Sequence, residues 1–227
     1  MGMEILKGFN VWVRNSAVSL GKFDGVHRGH RLLLQEILGR KELVPTVFTF
    51  GISPETEECI SKNGTPVIPG RQIYSQKEKD IILQGMGIKR EVLFPFTPET
   101  RTVSPSEFIE RILIEHLDAR LICVGEDFRF GRDRAGDVGL LREYAPKYGY
   151  EFKVYPKLMA GDEVISSTRI RRLLIQGDLD QANELLGGTY FVQGEVIHGN
   201  ALGRTMNMPT ANIFPAPEKV LLPSGVY

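Results

Sequence analysis

The chain has 227 residues, 42% of them hydrophobic, with 28 basic against 28 acidic side chains. That length can bury a substantial core and hold one full domain plus part of another, and a zero formal net charge provides no broad field for nucleic acid or an anionic membrane. Cys59 and Cys123 make no disulfide framework, and no signal peptide or long apolar span is present, so cytoplasmic residence is expected, with small-molecule partners rather than nucleic acid or membrane.

In chain order, strand-like runs are predicted near 16–20, 44–50, 91–94, 120–124 and 151–155, alternating with capped helices; this predicts an α/β fold, a parallel sheet with helices on both faces. Arg31 to Leu38 carries Leu34, Ile37 and Leu38 at helical spacing. Gly51 to Gly70 has little periodicity and reads as a loop. Ser75 with Glu78, and Ser104-Pro105-Ser106-Glu107, fit capping boxes, the second followed by a core-facing stripe of Phe108, Ile109, Ile112 and Leu113. Cys123, inside Leu121-Ile122-Cys123-Val124, reads as a small buried hydrophobe. Asp178 and Gln181 open a last helix that Gly187-Gly188 closes. From Thr189 the pattern turns to short β-like runs, Tyr190-Phe191-Val192 and Glu195-Val196-Ile197, which predict a small antiparallel barrel.

Two motifs carry chemistry. The first, Gly21-Lys22-Phe23-Asp24-Gly25-Val26-His27-Arg28-Gly29-His30, sits between an apolar run and a helix, where unpaired N–H groups and the positive dipole end suit anionic oxygens. His27 and His30, three apart, share a face of the first turn and can donate to a phosphate gaining charge. A metal pair would want further ligands, and His116, His198, Cys59 and Cys123 stand at no ligand spacing. The second, Ile165-Ser166-Ser167-Thr168-Arg169-Ile170-Arg171, starts a helix whose apolar stripe is Ile170, Leu173 and Leu174. Ser167 is the candidate N-cap and Arg171 a candidate bidentate grip on phosphate oxygens.

Together the two motifs resemble the H-x-G-H and S-S-T-x-x-R signatures of the nucleotidylyltransferase superfamily; the class I aminoacyl-tRNA synthetases share the first signature but pair it with a lysine-rich second one. With Val124-Gly125-Glu126-Asp127-Phe128-Arg129-Phe130-Gly131 and Pro209-Thr210-Ala211-Asn212, the chain from about Val18 onward is similar to the bacterial bifunctional riboflavin kinase/FMN adenylyltransferases. The resemblance implies a Rossmann-like FMN adenylyltransferase domain over 1–187 and the first part of a riboflavin kinase-like barrel over 188–227. ATP, FMN and riboflavin are then the substrates and Mg²⁺ the cofactor. His27, His30 and Arg171 are the expected catalytic residues. Gly21, Phe23, Asp24, Gly25, Ser166, Ser167 and Thr168 are expected to bind ATP, with Asp24 either stabilising the turn or supporting the histidines. Asp127, Phe128 and Phe130 are expected on the flavin side, and Thr210 and Asn212 at a kinase-module magnesium. The sequence departs from the pattern in two places: Gly51-Ile52-Ser53-Pro54 stands where Pro-His-Pro is usual, and Asn207 where a glycine is usual. With 39 residues after Gly188, the resemblance implies FAD synthesis without riboflavin phosphorylation. Another nucleotidylyltransferase, acting on phosphopantetheine or nicotinamide mononucleotide, and a non-catalytic nucleotide-binding regulator are the alternatives.

Overall fold

All five apolar runs predicted for the parallel sheet become strands. The computed structural model describes residues 2–51, 71–95, 97–198 and 210–227. In it β1 Glu4–Lys7, β2 Ser16–Leu20, β3 Val44–Gly51, β4 Arg90–Pro95, β5 Ala119–Gly125 and β6 Glu151–Tyr155 form one parallel sheet in the order β1-β4-β3-β2-β5-β6. Beyond Gly51 the expected 51–70 loop lies outside the described residues, as do Cys59, Asn207 and Pro209. β1, absent from the predicted strands, is a mostly exposed edge strand in register with Arg90 to Leu93 of β4.

Side chains alternate across the sheet, as strand geometry requires. On β5, Ile122 and Val124 join a core under one face, while Leu121 and Cys123 join a core under the other. The first core packs Val18, Leu20, Phe48 and Phe94 against Phe108, Ile109, Ile112 and Leu113. These lie on the π-helical segment Phe108–His116, which continues the short helix α4 Pro105–Glu107. The second packs α1 Arg28–Leu38 and α2 Gln76–Met86 through Leu33, Leu34, Ile37 and Leu83. Both faces are therefore covered, as a parallel sheet needs.

The capping signals are realised unevenly. Ser75 and Glu78 make the full reciprocal box at the start of α2, whereas Ser104 accepts from the Glu107 N–H and the Glu107 carboxylate turns to Arg111 at 2.6 Å. The remaining helices are α3 Pro98–Arg101, α5 Val138–Tyr148, α6 Ser167–Gln176 and α7 Leu179–Leu186. Among the described residues no helix is long and apolar enough to cross a membrane.

A third core joins Ile170, Leu173 and Leu174 of α6 to Leu185 and Leu186 of α7, to Ile73 and Tyr74 ahead of α2, and to Tyr190 and Val220. The residues after Gly188 thus behave in two ways. Strands β9 Gly194–Ile197 and β10 Asn212–Pro215 pair antiparallel and are exposed along nearly their whole length. The predicted run Tyr190-Phe191-Val192 forms no strand, because Tyr190 and Phe191 turn into the third core. The segment around Lys219 also docks on the body. Gln72 N–H donates to Glu218 O at 2.7 Å, Val220 N–H donates to Gln72 O at 2.8 Å, and the Tyr190 hydroxyl donates to Val220 O.

This contrast has a measurable signature. Val220→Ala, at a buried side chain, is expected to lower unfolding free energy by about 2 kcal/mol, whereas Val196→Ala, 72% exposed, is expected to change it by less than about 0.5 kcal/mol. Chemical denaturation of the two variants checks both values.

Candidate functional site

In a sheet of this order the chain runs one way from β2 through β3 to β4 and the other way from β5 to β6. The crevice between the carboxyl ends of β2 and β5 is the switch point where ligands of such sheets bind. Both glycine-containing motifs open there: Gly21 to His30 follows β2, and Gly125 to Gly131 follows β5.

The first loop is strained and clamped. Phe23 and Val26 have φ of 50° and 40°, in the left-handed region, which costs roughly 1–3 kcal/mol each for such residues. Their side chains are fully buried in the second core, and that burial outweighs the strain. Phe23, expected among the ATP-binding residues, anchors the loop from beneath with its buried side chain. Gly25 has φ of +84°, and a Cβ there would stand 2.7 Å from Ile73 Cδ1, so only glycine fits.

Helix α1 begins at Arg28, ahead of the apolar stripe that Leu34 and Ile37 carry, because His27 is its N-cap: the ring Nδ1 accepts from the His30 N–H at 3.4 Å. The two imidazoles stack with centroids 3.7 Å apart and planes 18° from parallel. His30 also rests on Phe23 at 5.2 Å. Gly29 lies against the first ring, its Cβ position 3.2 Å from His27 Cε1 and Nδ1. Burial pulls the His27 pKa down to about 4. Burial, then the neighbouring His27 and Lys79, hold His30 well below its usual value. Both rings are neutral at pH 7. His27, accepting at Nδ1, carries its proton on Nε2. Among the described residues the buried Nδ1 of His30 has no hydrogen-bond partner.

The second motif shifts by one residue from its predicted cap. Ser166, not Ser167, is the N-cap of α6, its hydroxyl accepting from the Arg169 N–H at 3.2 Å. Ser167 occupies the first helical turn, where an N-cap acceptor role is not open to it, and donates its hydroxyl to Asp24 O at 2.8 Å. Thr168 is exposed and lines an open depression with Glu163, Ser166 and Arg169. Arg169 donates to the carbonyls of Ala160 and Glu163, fastening the β7 Met159–Ala160 and β8 Glu163–Val164 hairpin to α6.

Asp24 joins the two motifs. Its Oδ2 accepts from Arg171 Nε at 3.3 Å and Nη2 at 3.0 Å, and its Oδ1 accepts from the Ile73 N–H at 2.9 Å. It therefore braces the loop and aims the arginine, and its hydrogen bonds go to these groups rather than to a histidine. The edge of the guanidinium predicted to grip phosphate is held by this carboxylate, which leaves Nη1 for a ligand oxygen.

Sequence reasoning missed Ile73, whose role is carried by its backbone and leaves no residue-type signal. It also missed Lys79, buried on α2 and paired with Glu91 at 3.2 Å, whose charge acts on His30. In sequence Lys79 is one of several charges on a helix face; only burial marks it.

On the other side of the crevice, Asp127 is exposed and pairs with Lys157 at 3.0 Å. Phe128 is half-buried and stacks on Phe130 at 5.7 Å. Phe130 is 2% exposed and packs on Phe108, so Phe128 presents the accessible ring and Phe130 backs it. Thr210 and Asn212 are exposed at and within β10. Their neutral oxygens suit a magnesium ion that keeps its waters and rides on phosphates. Among the described residues no three His, Cys, Asp or Glu side chains converge.

Comparison with known proteins agrees with this geometry. The FAD synthetase family model matches residues 11–169, and the riboflavin kinase family model matches 186–227. The bifunctional riboflavin kinase/FMN adenylyltransferase of Buchnera aphidicola subsp. Acyrthosiphon pisum (strain APS) is 36% identical over 228 residues, 100% of this chain and 70% of the relative. That of Escherichia coli (strain K12) is 35% identical over 212 residues, 92% of this chain and 66% of the relative. The crystal structure of a protein described as a macrolide-efflux protein from Streptococcus pneumoniae superposes with a TM-score of 0.81 at 28% identity, over 98% of this chain and 73% of that one. A helix after β2 capped by His27 with His30 stacked on it in the first turn, a serine-capped helix tied back to it through Asp24, and these matches together place the chain in the bifunctional riboflavin kinase/FMN adenylyltransferase family.

Proposed function

We propose that this chain makes FAD by transferring AMP from ATP to FMN, in the domain spanning 1–187, with 188–227 as the riboflavin kinase-like part. The observation that carries the reading is the stacked, neutral His27–His30 pair at the mouth of α1, tied to the second motif through Asp24. A phosphate oxygen of FMN attacks the α-phosphorus of ATP, the bond from that phosphorus to the bridging oxygen breaks, and pyrophosphate departs. No protein nucleophile is required, so catalysis consists of positioning and charge stabilisation.

The two neutral imidazoles supply N–H donors to the α-phosphate and the leaving oxygen. Neutrality suits this role, because a ring held uncharged by burial donates a hydrogen bond and takes up a proton only as negative charge accumulates beside it. Ser166 fixes the start of α6, the Thr168 hydroxyl faces the triphosphate, and Arg171 gives its unoccupied Nη1 to a phosphate oxygen. Gly21 and Gly25 let the loop backbone approach the nucleotide. Asp127 and Phe128 serve the flavin side, Phe130 supporting the latter ring. When bound with the nucleotide, Mg²⁺ would supply neutralisation of phosphate charge; Thr210 and Asn212 are the residues that would hold it in the kinase-like part.

Incubating the protein with FMN, ATP and Mg²⁺ and following FAD and pyrophosphate tests the reading directly. His27→Asn, which keeps an acceptor at the N-cap, and His30→Ala are each expected to slow FAD formation about a hundredfold with the fold intact. Wild-type turnover in either variant would exclude the histidines from the chemistry.

Arg171→Lys keeps the charge but loses the planar fork that binds Asp24 and phosphate together. The KM for ATP is expected to rise about tenfold, with a smaller change in that for FMN. Steady-state kinetics in each substrate separates the two.

The histidine environment also predicts a pH response. A folded-state His27 pKa of about 4 lies below the unfolded value, so the unfolded chain binds the extra proton between about pH 6.5 and 4. Stability is full above the unfolded pKa and is lost as pH falls through that window, by roughly 3 kcal/mol from this residue. Denaturation midpoints measured from pH 7 to 4 should fall more steeply in the wild type than in His27→Asn.

A further inference from the structure

Lys219 is 1% exposed and Glu78 fully buried, and their side chains meet at 2.7 Å. The ammonium sits among aromatic faces, 4.3 Å from the Tyr190 ring centroid, 4.8 Å from Tyr74 and 6.0 Å from Phe191. Glu78 is itself fully used: it caps Ser75 N–H and accepts from Gln193 N–H at 2.7 Å. An anchor for the docked segment would need no more than this, because backbone pairing to Gln72 and burial of Val220 already hold it. Yet the ammonium makes one further bond, donating to Ile73 O at 3.0 Å.

That bond continues into the nucleotide site. The same Ile73 donates its N–H to Asp24 Oδ1 at 2.9 Å, and Asp24 Oδ2 holds Arg171. Ile73 also limits the loop sterically, since its side chain closes over Gly25. A donor on the carbonyl and an acceptor on the N–H of the same residue pin the two peptide groups that flank Ile73 and so fix the position of that segment. We infer that Lys219, within the riboflavin kinase match, is a positioning residue for adenylyl transfer: through Ile73 it sets Asp24, and through Asp24 the guanidinium of Arg171. The inference rests on reading Arg171 as a ligand of the ATP triphosphate. It makes the Lys219 ammonium on the Ile73 carbonyl, rather than the packing of the 218–220 segment as such, a determinant of ATP affinity in the other part of the chain.

The test uses the 227-residue chain, with Mg²⁺·ATP binding measured by calorimetry without FMN and FAD formation measured in parallel. Lys219→Met is expected to weaken ATP binding and raise its KM about fivefold, with kcat and the KM for FMN nearly unchanged. In an Asp24→Asn background the same substitution is expected to add nothing, because the coupled step is already broken. Val220→Ala loosens the same segment without removing the ammonium, so it should lower stability and leave ATP affinity alone. If Lys219→Met does not fold, Lys219→Met with Glu78→Gln answers the question, since no uncompensated charge remains buried and the donor to Ile73 is still lost. An unchanged ATP Kd on losing Lys219, an undiminished effect in the Asp24→Asn background, or an equal effect from Val220→Ala would each overturn the inference. Absence of FAD formation by the wild type would instead strike the adenylyl-transfer reading, while the calorimetry would still report on the coupling.

Discussion

The carboxylate of Asp24 is the constraint on which the site depends. Its two oxygens and its backbone carbonyl hold three partners from three parts of the chain: the N–H of Ile73, the guanidinium of Arg171 and the hydroxyl of Ser167. The charge-assisted bonds to the carboxylate contribute roughly 1.5–3 kcal/mol each and the neutral Ser167 bond about 1 kcal/mol, comparable with the strain stored at Phe23 and Val26. The loop therefore keeps a geometry that none of its residues would choose alone. Remove the carboxylate and, among the described residues, the Ser167 hydroxyl on the Asp24 carbonyl is the hydrogen bond left between the two signature motifs.

Charge is managed by the same care in placement. The chain has no net charge to focus, and its buried ionic groups come in pairs, Lys79 with Glu91 and Lys219 with Glu78. Such pairs contribute little to stability once desolvation is counted, but they fix orientation. Burial raises the Glu91 pKa while Lys79 opposes the rise. Lys79 in turn keeps a positive potential near His30, which favours the neutral ring there and favours anionic phosphate in front of it.

The sheet was legible because its central strands β4, β3, β2 and β5 carry apolar runs, as buried parallel strands do, and because edge strand β6, Glu151–Tyr155, alternates charged with apolar residues. Edge strand β1 was not, since Glu4 to Lys7 shows no such run and exists as a strand only because β4 offers it a partner. The histidines, Arg171 and the serines were legible as residue types at a fixed spacing. Their partners were not: Ile73 acts through its backbone, Lys79 through its burial, and Asp24 through a contact 147 residues distant. The cap of α6 was misplaced by one residue because Ser166 and Ser167 are chemically equivalent, and only the carbonyl of Asp24 distinguishes them. The residues after Gly188 were read as a small barrel from alternation alone. That reading captured the exposed hairpin but not the docked strap, whose Lys219 resembles a solvated charge in sequence.

Gly29 connects motif and geometry in a final way. Two flat rings stacked at van der Waals thickness over the first turn of a helix leave no volume between the ring of His27 and the backbone two residues on, and the Cβ position at Gly29 already touches that ring. Arg28, projecting outward and half exposed, feels none of this. The four-letter pattern is thus a steric preference written in residues: the second place projects outward, and at the third any side chain must push the His27 ring aside by a few tenths of an ångström. Its spelling records the thickness of an imidazole as much as the chemistry of a phosphate.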